Sequence, residues 1–225
     1  IKGYQSWRNL TFLHWEIASE ELEPLLPSGL QLDLFQGKAY IGIVPFEMKN
    51  IRPAWCPQVL GFNFLETNVR TYVIHNQEPG VFFFSLDASS YIAVKVARWI
   101  WHLPYFHSAM TLSNKDAIYN YTLKRTDKVQ SQIKIEVSET LPPSEADSLE
   151  YFLFERYLLF TELRGQLLRG QVHHIPYPVR QAELIDFEDQ LLEINNIGGI
   201  SSSPDLVHFS QGVDVEIYPL EPTGD

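Results

Sequence analysis

Residues 64–74 read Phe-Leu-Glu-Thr-Asn-Val-Arg-Thr-Tyr-Val-Ile and predict a long strand with two different faces. Successive side chains of a strand point to opposite sides of the sheet. One side then carries a polar row formed by Glu66, Asn68, Arg70 and Tyr72. The other side suits a hydrophobic core, with Leu65, Val69 and Val73. This strand is therefore expected to separate a core from a polar environment.

The polar row has two interpretations from spacing alone. It is the solvent-exposed face of a sheet, which is the simpler reading, or it is the inner wall of a wet cavity. Glu66 and Arg70 lie about 13 Å apart along the strand, so they cannot pair directly. Each needs another partner, and a bound ligand could supply one.

The rest of the chain alternates short strand patterns with a few helices. A helix is expected from Ser89 to about Trp101 with Asp87 as its N-cap, and others after Ser19 and from Ser144. Strand patterns lie at residues 7–17, 30–34, 39–48, 80–86, 105–112, 117–123, 131–137, 157–163, 166–174 and 213–218. With no linker in between, we expect one α+β, mostly β domain over residues 1–225, built on one large antiparallel sheet system with two or three short helices.

Charge and composition exclude several classes of partner. The net charge of −11 argues against nucleic acid and against an anionic membrane, since both would repel the average surface. Lys124, Arg125 and Lys128 form the only local basic cluster, which is expected to be solvated. Cys56 is the single cysteine, and neither a signal peptide nor an apolar segment long enough to span a bilayer is recognisable. A soluble, cytoplasmic protein is expected.

A second polar pair, His14 and Glu16, shares one face of the first strand. A histidine and a carboxylate so placed can act as acid and base or ligate a metal. No third ligand is evident, and no phosphate-binding, dinucleotide-binding or nucleophile-elbow motif appears. We therefore expect neither a metal site nor a cofactor.

Residues 97–109, Ala-Arg-Trp-Ile-Trp-His-Leu-Pro-Tyr-Phe-His-Ser-Ala, resemble the acetoacetate decarboxylase pattern in which two lysines follow a proline. In that family the first lysine forms a Schiff base and the second depresses its pKa. Aligned on Arg98 and Pro104, this chain has Tyr105 and Phe106 at the two positions. Neither can form an imine, so Schiff-base chemistry is expected to be absent.

The wider resemblance is to the YqjF-like family of uncharacterised bacterial proteins. It is carried by residues 25–30 (Leu-Leu-Pro-Ser-Gly-Leu), 44–46 (Val-Pro-Phe), 66–72, 83–87 (Phe-Phe-Ser-Leu-Asp), 103–105 (Leu-Pro-Tyr), 155–157 (Glu-Arg-Tyr) and 172–178 (Val-His-His-Ile-Pro-Tyr-Pro). The resemblance implies the acetoacetate decarboxylase-like fold, an antiparallel β-barrel or sheet system with a cavity. It implies no reaction.

This resemblance favours the cavity over the exposed face. Arg70 is then the candidate anchor for an anionic group, with Asn68 beside it, and Glu66 or His14 the candidate for proton transfer. The hydroxyls of Tyr72 and Tyr105 could orient a carbonyl. Arg98 is either a further ligand-binding residue or one member of an ion pair that holds its helix to the sheet.

Three functions remain open at this point. The first is an enzyme acting on a small organic acid or carbonyl compound without a Schiff base. The second is a binding protein that holds such an anionic or carbonyl-containing ligand without converting it. The third is a structural protein with a filled interior, whose Trp99 and Trp101 form the interface of a homo-oligomer.

Overall fold

The computed structural model describes residues 1–224, and strands dominate it. Within this range the strands are β1 Gly3–Ile17, β2 Gln31–Leu32, β3 Ala39–Pro53, β4 Phe62–His75, β5 Glu78–Ala88, β6 Tyr105–Lys115, β7 Ile118–Arg125, β8 Gln130–Thr140, β9 Leu158–Leu163, β10 Gln166–His173, β11 Val179–Asp189, β12 Leu206–Ile217 and β13 Glu221–Pro222. The α-helices are α1 Ser19–Leu22, α2 Tyr91–Ile100, α3 Leu149–Phe154 and α4 Leu191–Ile194, with single 3-10 turns at Glu23–Leu25 and Gln58–Leu60. Among the described residues, no helix has the length and apolarity needed to cross a bilayer.

All the strands belong to one sheet, which confirms the α+β, mostly β prediction. The sheet is mixed rather than purely antiparallel, because β5 runs parallel to both β6 and β9. The β5–β6 pair is joined through α2, the kind of helical crossover that parallel neighbours require. Since β5 also pairs with β4, the succession β4–β5–β6–β7–β8–β11–β12–β1–β3 returns to β4.

Strands β1, β3 and β4 lie between two hydrophobic clusters. In β1, Phe12 belongs to the first cluster and Trp15 to the second, and both are fully buried. In β4, Tyr72 belongs to the first cluster and Val69 to the second. Side chains on the two faces of these strands therefore pack into two different hydrophobic clusters.

This arrangement decides the interpretation of the polar row in β4. Glu66, Asn68 and Tyr72 are only 3%, 5% and 0% exposed, so the row does not face solvent. The exposed-face interpretation is wrong. Burying a carboxyl group in a mostly apolar region is costly unless it is neutral or paired, which makes the surroundings of this row the place to look for chemistry.

Two local predictions around β5 are also wrong. Asp87 is not a helix cap: it is buried in β5, and α2 begins after Ser90, whose hydroxyl accepts from the amide of Ala93 at 3.3 Å. Arg125, expected in a solvated basic cluster, is 5% exposed and binds Asp87 through two hydrogen bonds of 2.7 and 2.6 Å. The sheet brings together a carboxylate and a guanidinium that would each be unstable if buried alone.

The helix expected from Ser144 begins later, at Leu149. Ser148 is its N-cap, and its hydroxyl accepts from the amide of Tyr151 at 3.1 Å. This shift places the short helix α3 against the first hydrophobic cluster, where Leu153 and Phe154 are buried.

Candidate functional site

A cavity of about 170 Å³ lies within the first hydrophobic cluster. Strands β3, β4 and β5 and helix α2 contribute most of its wall, and the side chains are mainly aliphatic and aromatic. Its polar lining includes Glu66, Asn68, Arg70 and Tyr105, so the structure brings four of the predicted site residues together. Ligand sites in proteins commonly combine an apolar wall with a few convergent polar groups.

Glu66 is fully buried in this wall, and its carboxyl group is held by two neighbours. Tyr105 donates a hydrogen bond from its hydroxyl to Oε2 at 2.7 Å. Burial is the main cause that raises the pKa of Glu66 to about 8, and the negative charge of Asp87 adds to it. Hydrogen bonds from Tyr105 and Asn68 act in the opposite direction. At neutral pH the carboxyl group is therefore mainly protonated and has an O–H to donate.

Tyr105 and Phe106, which replace the two lysines of the decarboxylase pattern, point to opposite sides of β6 because the strand alternates. Tyr105 reaches the cavity and Glu66. Phe106 instead packs against the guanidinium of Arg125, 4.0 Å from its ring centroid. Burial also raises the pKa of Tyr105 well above its ordinary value, so its hydroxyl stays protonated.

Arg70 lies at the cavity wall with few partners. One terminal nitrogen makes long hydrogen bonds, 3.3 Å to the carbonyl of Leu153 and 3.4 Å to the hydroxyl of Tyr72. Among residues 1–224, its buried Nε has no hydrogen-bond partner, and no Asp or Glu oxygen lies within 4.0 Å of the guanidinium. The guanidinium lies 5.6 and 5.7 Å from the ring centroids of Phe12 and Tyr72. Within the described residues, this half-buried cation is therefore compensated by aromatic rings and neutral acceptors rather than by a carboxylate.

His14 and Tyr72 lie behind the wall and do not line the cavity. The ring Nε2 of His14 is 2.7 Å from the hydroxyl of Tyr72, which in turn donates to the carbonyl of Leu153 at 3.0 Å. Burial, the charge of Arg70 and the proximity of His208 lower the pKa of His14 well below its ordinary value. Neutral His14 thus holds Tyr72, whose hydroxyl contacts both Arg70 and the carbonyl of Leu153 near the end of α3.

The remaining predicted residues lie away from the cavity. Arg98 is exposed on α2, where its Nε donates to the carbonyl of Tyr105 at 2.6 Å. Arg98 therefore connects α2 to β6. Of its two predicted roles this agrees with holding the helix to the sheet, although the partner is a backbone oxygen and not a carboxylate. Glu16 is exposed and pairs with Lys38 at 2.7 Å, so it does not act with His14.

Lysine is absent from the described residues that line the cavity. Lys95, the nearest candidate in sequence for a substitute nucleophile, is exposed on α2, with its Nζ 4.7 Å from the ring centroid of Tyr91. In the described part of the chain, no group of three or more His, Cys, Asp or Glu side chains is arranged to hold a metal ion.

Sequence reasoning missed one charged residue of the lining, Arg156, which follows α3. Its terminal nitrogen donates to Asp33 at 2.5 Å, and its Nε donates to the carbonyl of Phe152 at 2.7 Å. The polar tripeptide Glu-Arg-Tyr at residues 155–157 was the only local pattern that could have indicated Arg156 as a site residue. A partner 123 residues away cannot be read from local pattern, so the neutralisation of Arg156 was invisible.

Comparisons with known proteins identify the family to which the chain belongs. The model of the DUF2071 family, described as an uncharacterized conserved protein, matches residues 4–214. The uncharacterized protein YqjF of Bacillus subtilis (strain 168) is 37% identical over 220 residues, which cover 96% of this chain and 90% of that protein.

Solved structures show the same fold at low sequence identity. Acetoacetate decarboxylase from Legionella pneumophila is similar with a TM-score of 0.68 at 16% identity, over 99% of this chain and 88% of that one. An acetoacetate decarboxylase-like enzyme from Sphingomonas wittichii RW1 gives 0.67 at 13%, over 100% and 94%. The enduracididine biosynthesis enzyme MppR in complex with pyruvate gives 0.65 at 13%, over 99% and 91%. The chain therefore belongs to the DUF2071 family together with YqjF, and it has an acetoacetate decarboxylase-like fold.

Proposed function

We propose that the cavity binds a small organic acid that extends along β4, with the ligand carboxylate on Arg70 and a carbonyl or hydroxyl group directed toward Glu66. The proposal extends to an enzyme that transfers a proton at this carbonyl without a Schiff base. It rests on two groups of the cavity wall, the cation of Arg70 and the protonated carboxyl group of Glu66. Both lie on the same face of β4, with Asn68 between them.

The observation that carries the proposal is that Arg70 has no carboxylate partner among residues 1–224. Within the same residues its Nε has no hydrogen-bond partner, and the other hydrogen bonds of the guanidinium are long and go to a carbonyl and a hydroxyl oxygen. A carboxylate can accept two parallel hydrogen bonds from a guanidinium, and charge-assisted bonds of this kind are roughly twice as strong as neutral ones. The support from Tyr72 and His14 holds the group in place without neutralising it.

Glu66 and Asn68 would recognise the uncharged part of the ligand. Protonated Glu66 can donate to a carbonyl oxygen, because its other oxygen already accepts from Tyr105. The buried Oδ1 of Asn68 has no hydrogen-bond partner among residues 1–224 and can accept from a hydroxyl group. If the carbonyl gains negative charge during reaction, the proton moves from Glu66 to that oxygen, and the hydroxyl of Tyr105 then stabilises the carboxylate left behind.

A non-catalytic binding protein is the second candidate, and the apolar wall favours it. Beyond the few polar side chains of its lining, such as Glu66, Asn68 and Arg70, the cavity wall is aliphatic and aromatic. A purely structural role is less well supported, because a filled interior would not require a cation that has no carboxylate partner among residues 1–224.

Thermal-shift measurements with small carboxylic acids, keto acids and uncharged carbonyl compounds test the proposal. Pyruvate belongs in the panel because a structure of MppR holds it. A ligand at 100 times its Kd adds roughly 2.7 kcal/mol to stability. We expect a shift for acids in the wild type, a loss of affinity of about 10-fold or more in Arg70→Ala, and no loss in Arg164→Ala, an exposed arginine in a turn.

The Glu66→Gln variant separates binding from catalysis. It keeps size and polarity but cannot release a proton, so an enzyme loses turnover while ligand binding survives. Borohydride trapping with a ketone tests the absence of imine chemistry, since covalent labelling of any lysine would contradict it. If no acid shifts the wild type, or if Arg70→Ala binds as well as wild type, the anion site is misassigned.

A further inference from the structure

Helix α2 presents a large apolar face to solvent. Ile92, Val96 and Trp99 follow one another at helical spacing and are 71%, 45% and 79% exposed. Tyr91 and Ile100 flank this stripe, at 56% and 49% exposed. An amphipathic helix normally buries such a stripe, and α2 buries only its opposite side, through Ala93 and Val94.

The connection between β3 and β4 exposes a second group of apolar side chains. Trp55, Val59, Leu60 and Phe62 are 84%, 87%, 67% and 42% exposed. This segment contains the 3-10 turn Gln58–Leu60, so its side chains are displayed by ordered backbone.

The two segments both border the cavity on its solvent-exposed side. Val96 of α2 and Phe62 of β4 both line the cavity and are both exposed. Nearby, the amide of Ser89, which precedes α2, donates to the carbonyl of Leu65 in β4 at 2.9 Å, so the start of α2 is held beside β4. We call the exposed apolar residues of 55–62 and of α2 together the mouth patch.

The sequence segments that carry the mouth patch differ in charge from the rest of the chain. Residues 48–65 and 88–115 contain no Asp or Glu, although the chain has 28 acidic residues and a net charge of −11. The charged groups in these ranges are basic, among them Arg52, Lys95 and Arg98. Exposed tryptophan and arginine side chains are enriched in the cores of protein–protein interfaces.

The area of the mouth patch matches the requirement of a stable dimer. Its nine large side chains, four of them aromatic, together expose roughly 1,000 Å². The largest apolar patch on an ordinary monomer covers about 300–600 Å², and a standard interface buries about 800 Å² on each partner. We propose that a second copy of this chain docks on the mouth patch in an isologous dimer and covers the mouth of the cavity.

A second copy fits the patch better than a bilayer does. The net charge of −11 would repel an anionic membrane, whereas contact between two copies requires only that the apolar side chains of the two mouth patches pack together. The consequence for the site is direct. Because Val96 and Phe62 form part of the cavity wall, dimer formation removes the mouth from water and lowers the local dielectric around Glu66 and Arg70.

Sedimentation velocity of the full chain over a range of concentrations tests the proposal without any ligand, so its outcome is independent of what the cavity binds. We expect the wild type to have twice the 26.0 kDa mass of one chain. Trp99→Glu on α2 and Val59→Glu in the loop should each weaken the dimer by about 30-fold or more. Ile175→Glu is the matched control, since Ile175 is 67% exposed outside the patch and should leave the dimer unchanged.

Circular dichroism must show that each variant is folded. Should Trp99→Glu fail to fold, Val59→Glu decides the matter, because Val59 is the more exposed of the two. A wild type that is monomeric at the highest soluble concentration overturns the proposal. So does a dimer that persists in a folded variant carrying both Trp99→Glu and Val59→Glu. A monomer that floats with vesicles of phosphatidylcholine and phosphatidylglycerol overturns it in favour of a bilayer.

Discussion

The pH dependence of stability gives the sharpest test of the buried carboxyl group at position 66. In the folded protein burial raises the pKa of Glu66 from its ordinary 4.5 to about 8. Between these two pH values the unfolded chain has released the proton and the folded chain still holds it. Stability therefore falls as pH rises, because the folded state binds more protons than the unfolded one.

The size of this effect follows from the two pKa values. At 1.36 kcal/mol for each pH unit, the interval from 4.5 to about 8 corresponds to about 5 kcal/mol. This loss is absent below about pH 4.5 and complete above about pH 8. Replacing Glu66 by Gln gives an uncharged side chain of similar shape that can still accept from Tyr105. The free energy of unfolding of Glu66→Gln minus that of wild type should rise by this amount across the interval.

Urea denaturation at a series of pH values measures that difference directly. Other groups that titrate, such as the buried histidines, contribute to both curves and cancel. Glu162→Gln, at an exposed position of β9, is the matched control and should run parallel to wild type. If the curves of Glu66→Gln and wild type also remain parallel from pH 4.5 to 9, Glu66 is ionised in the folded state and its proposed role as a proton donor is wrong.

Three further changes test the surroundings of the cavity. Tyr105→Phe removes a hydrogen bond that lowers the pKa of Glu66, so this pKa should rise further, as carboxyl ¹³C NMR would show; an unchanged value would refute the contact. Asp87→Asn leaves Arg125 buried without its counter-ion and should cost about 3–5 kcal/mol in urea denaturation, while the added change Arg125→Met should recover much of it. Gly212 has φ +117°, and a Cβ there would lie 1.8 Å from a carbonyl oxygen of β1, so Gly212→Ala should cost at least about 1–3 kcal/mol; a neutral effect would contradict the strand register.

Local pattern was sufficient for much of the fold. The alternation in residues 64–74 predicted β4, and the position of α2 was predicted to within a few residues at each end. Both follow from the periodicity of side chains along one element, which needs no knowledge of neighbours. Family resemblance supplied the acetoacetate decarboxylase-like fold, which the comparisons confirm.

Local pattern failed where the partner is distant in sequence. Nothing in the sequence near Asp87 indicates that Arg125 will neutralise it. Asp87 was therefore predicted as a helix N-cap, and Arg125 as part of a solvated basic cluster. His14 and Glu16 share a face in sequence, yet one is fully buried and the other pairs with Lys38 in solvent. Burial is a property of the whole sheet, and it decided both outcomes.

The sequence by itself determined which residues of β4 share a face, because alternation is built into the covalent geometry of a strand. It also determined that no lysine stands at positions 105 and 106. Only the tertiary structure decided that this face is buried, that Tyr105 meets Glu66, and that no carboxylate of residues 1–224 pairs with Arg70. The reason is physical: charge compensation and desolvation depend on groups brought together from distant parts of the chain, and these set the protonation state on which the proposed chemistry depends.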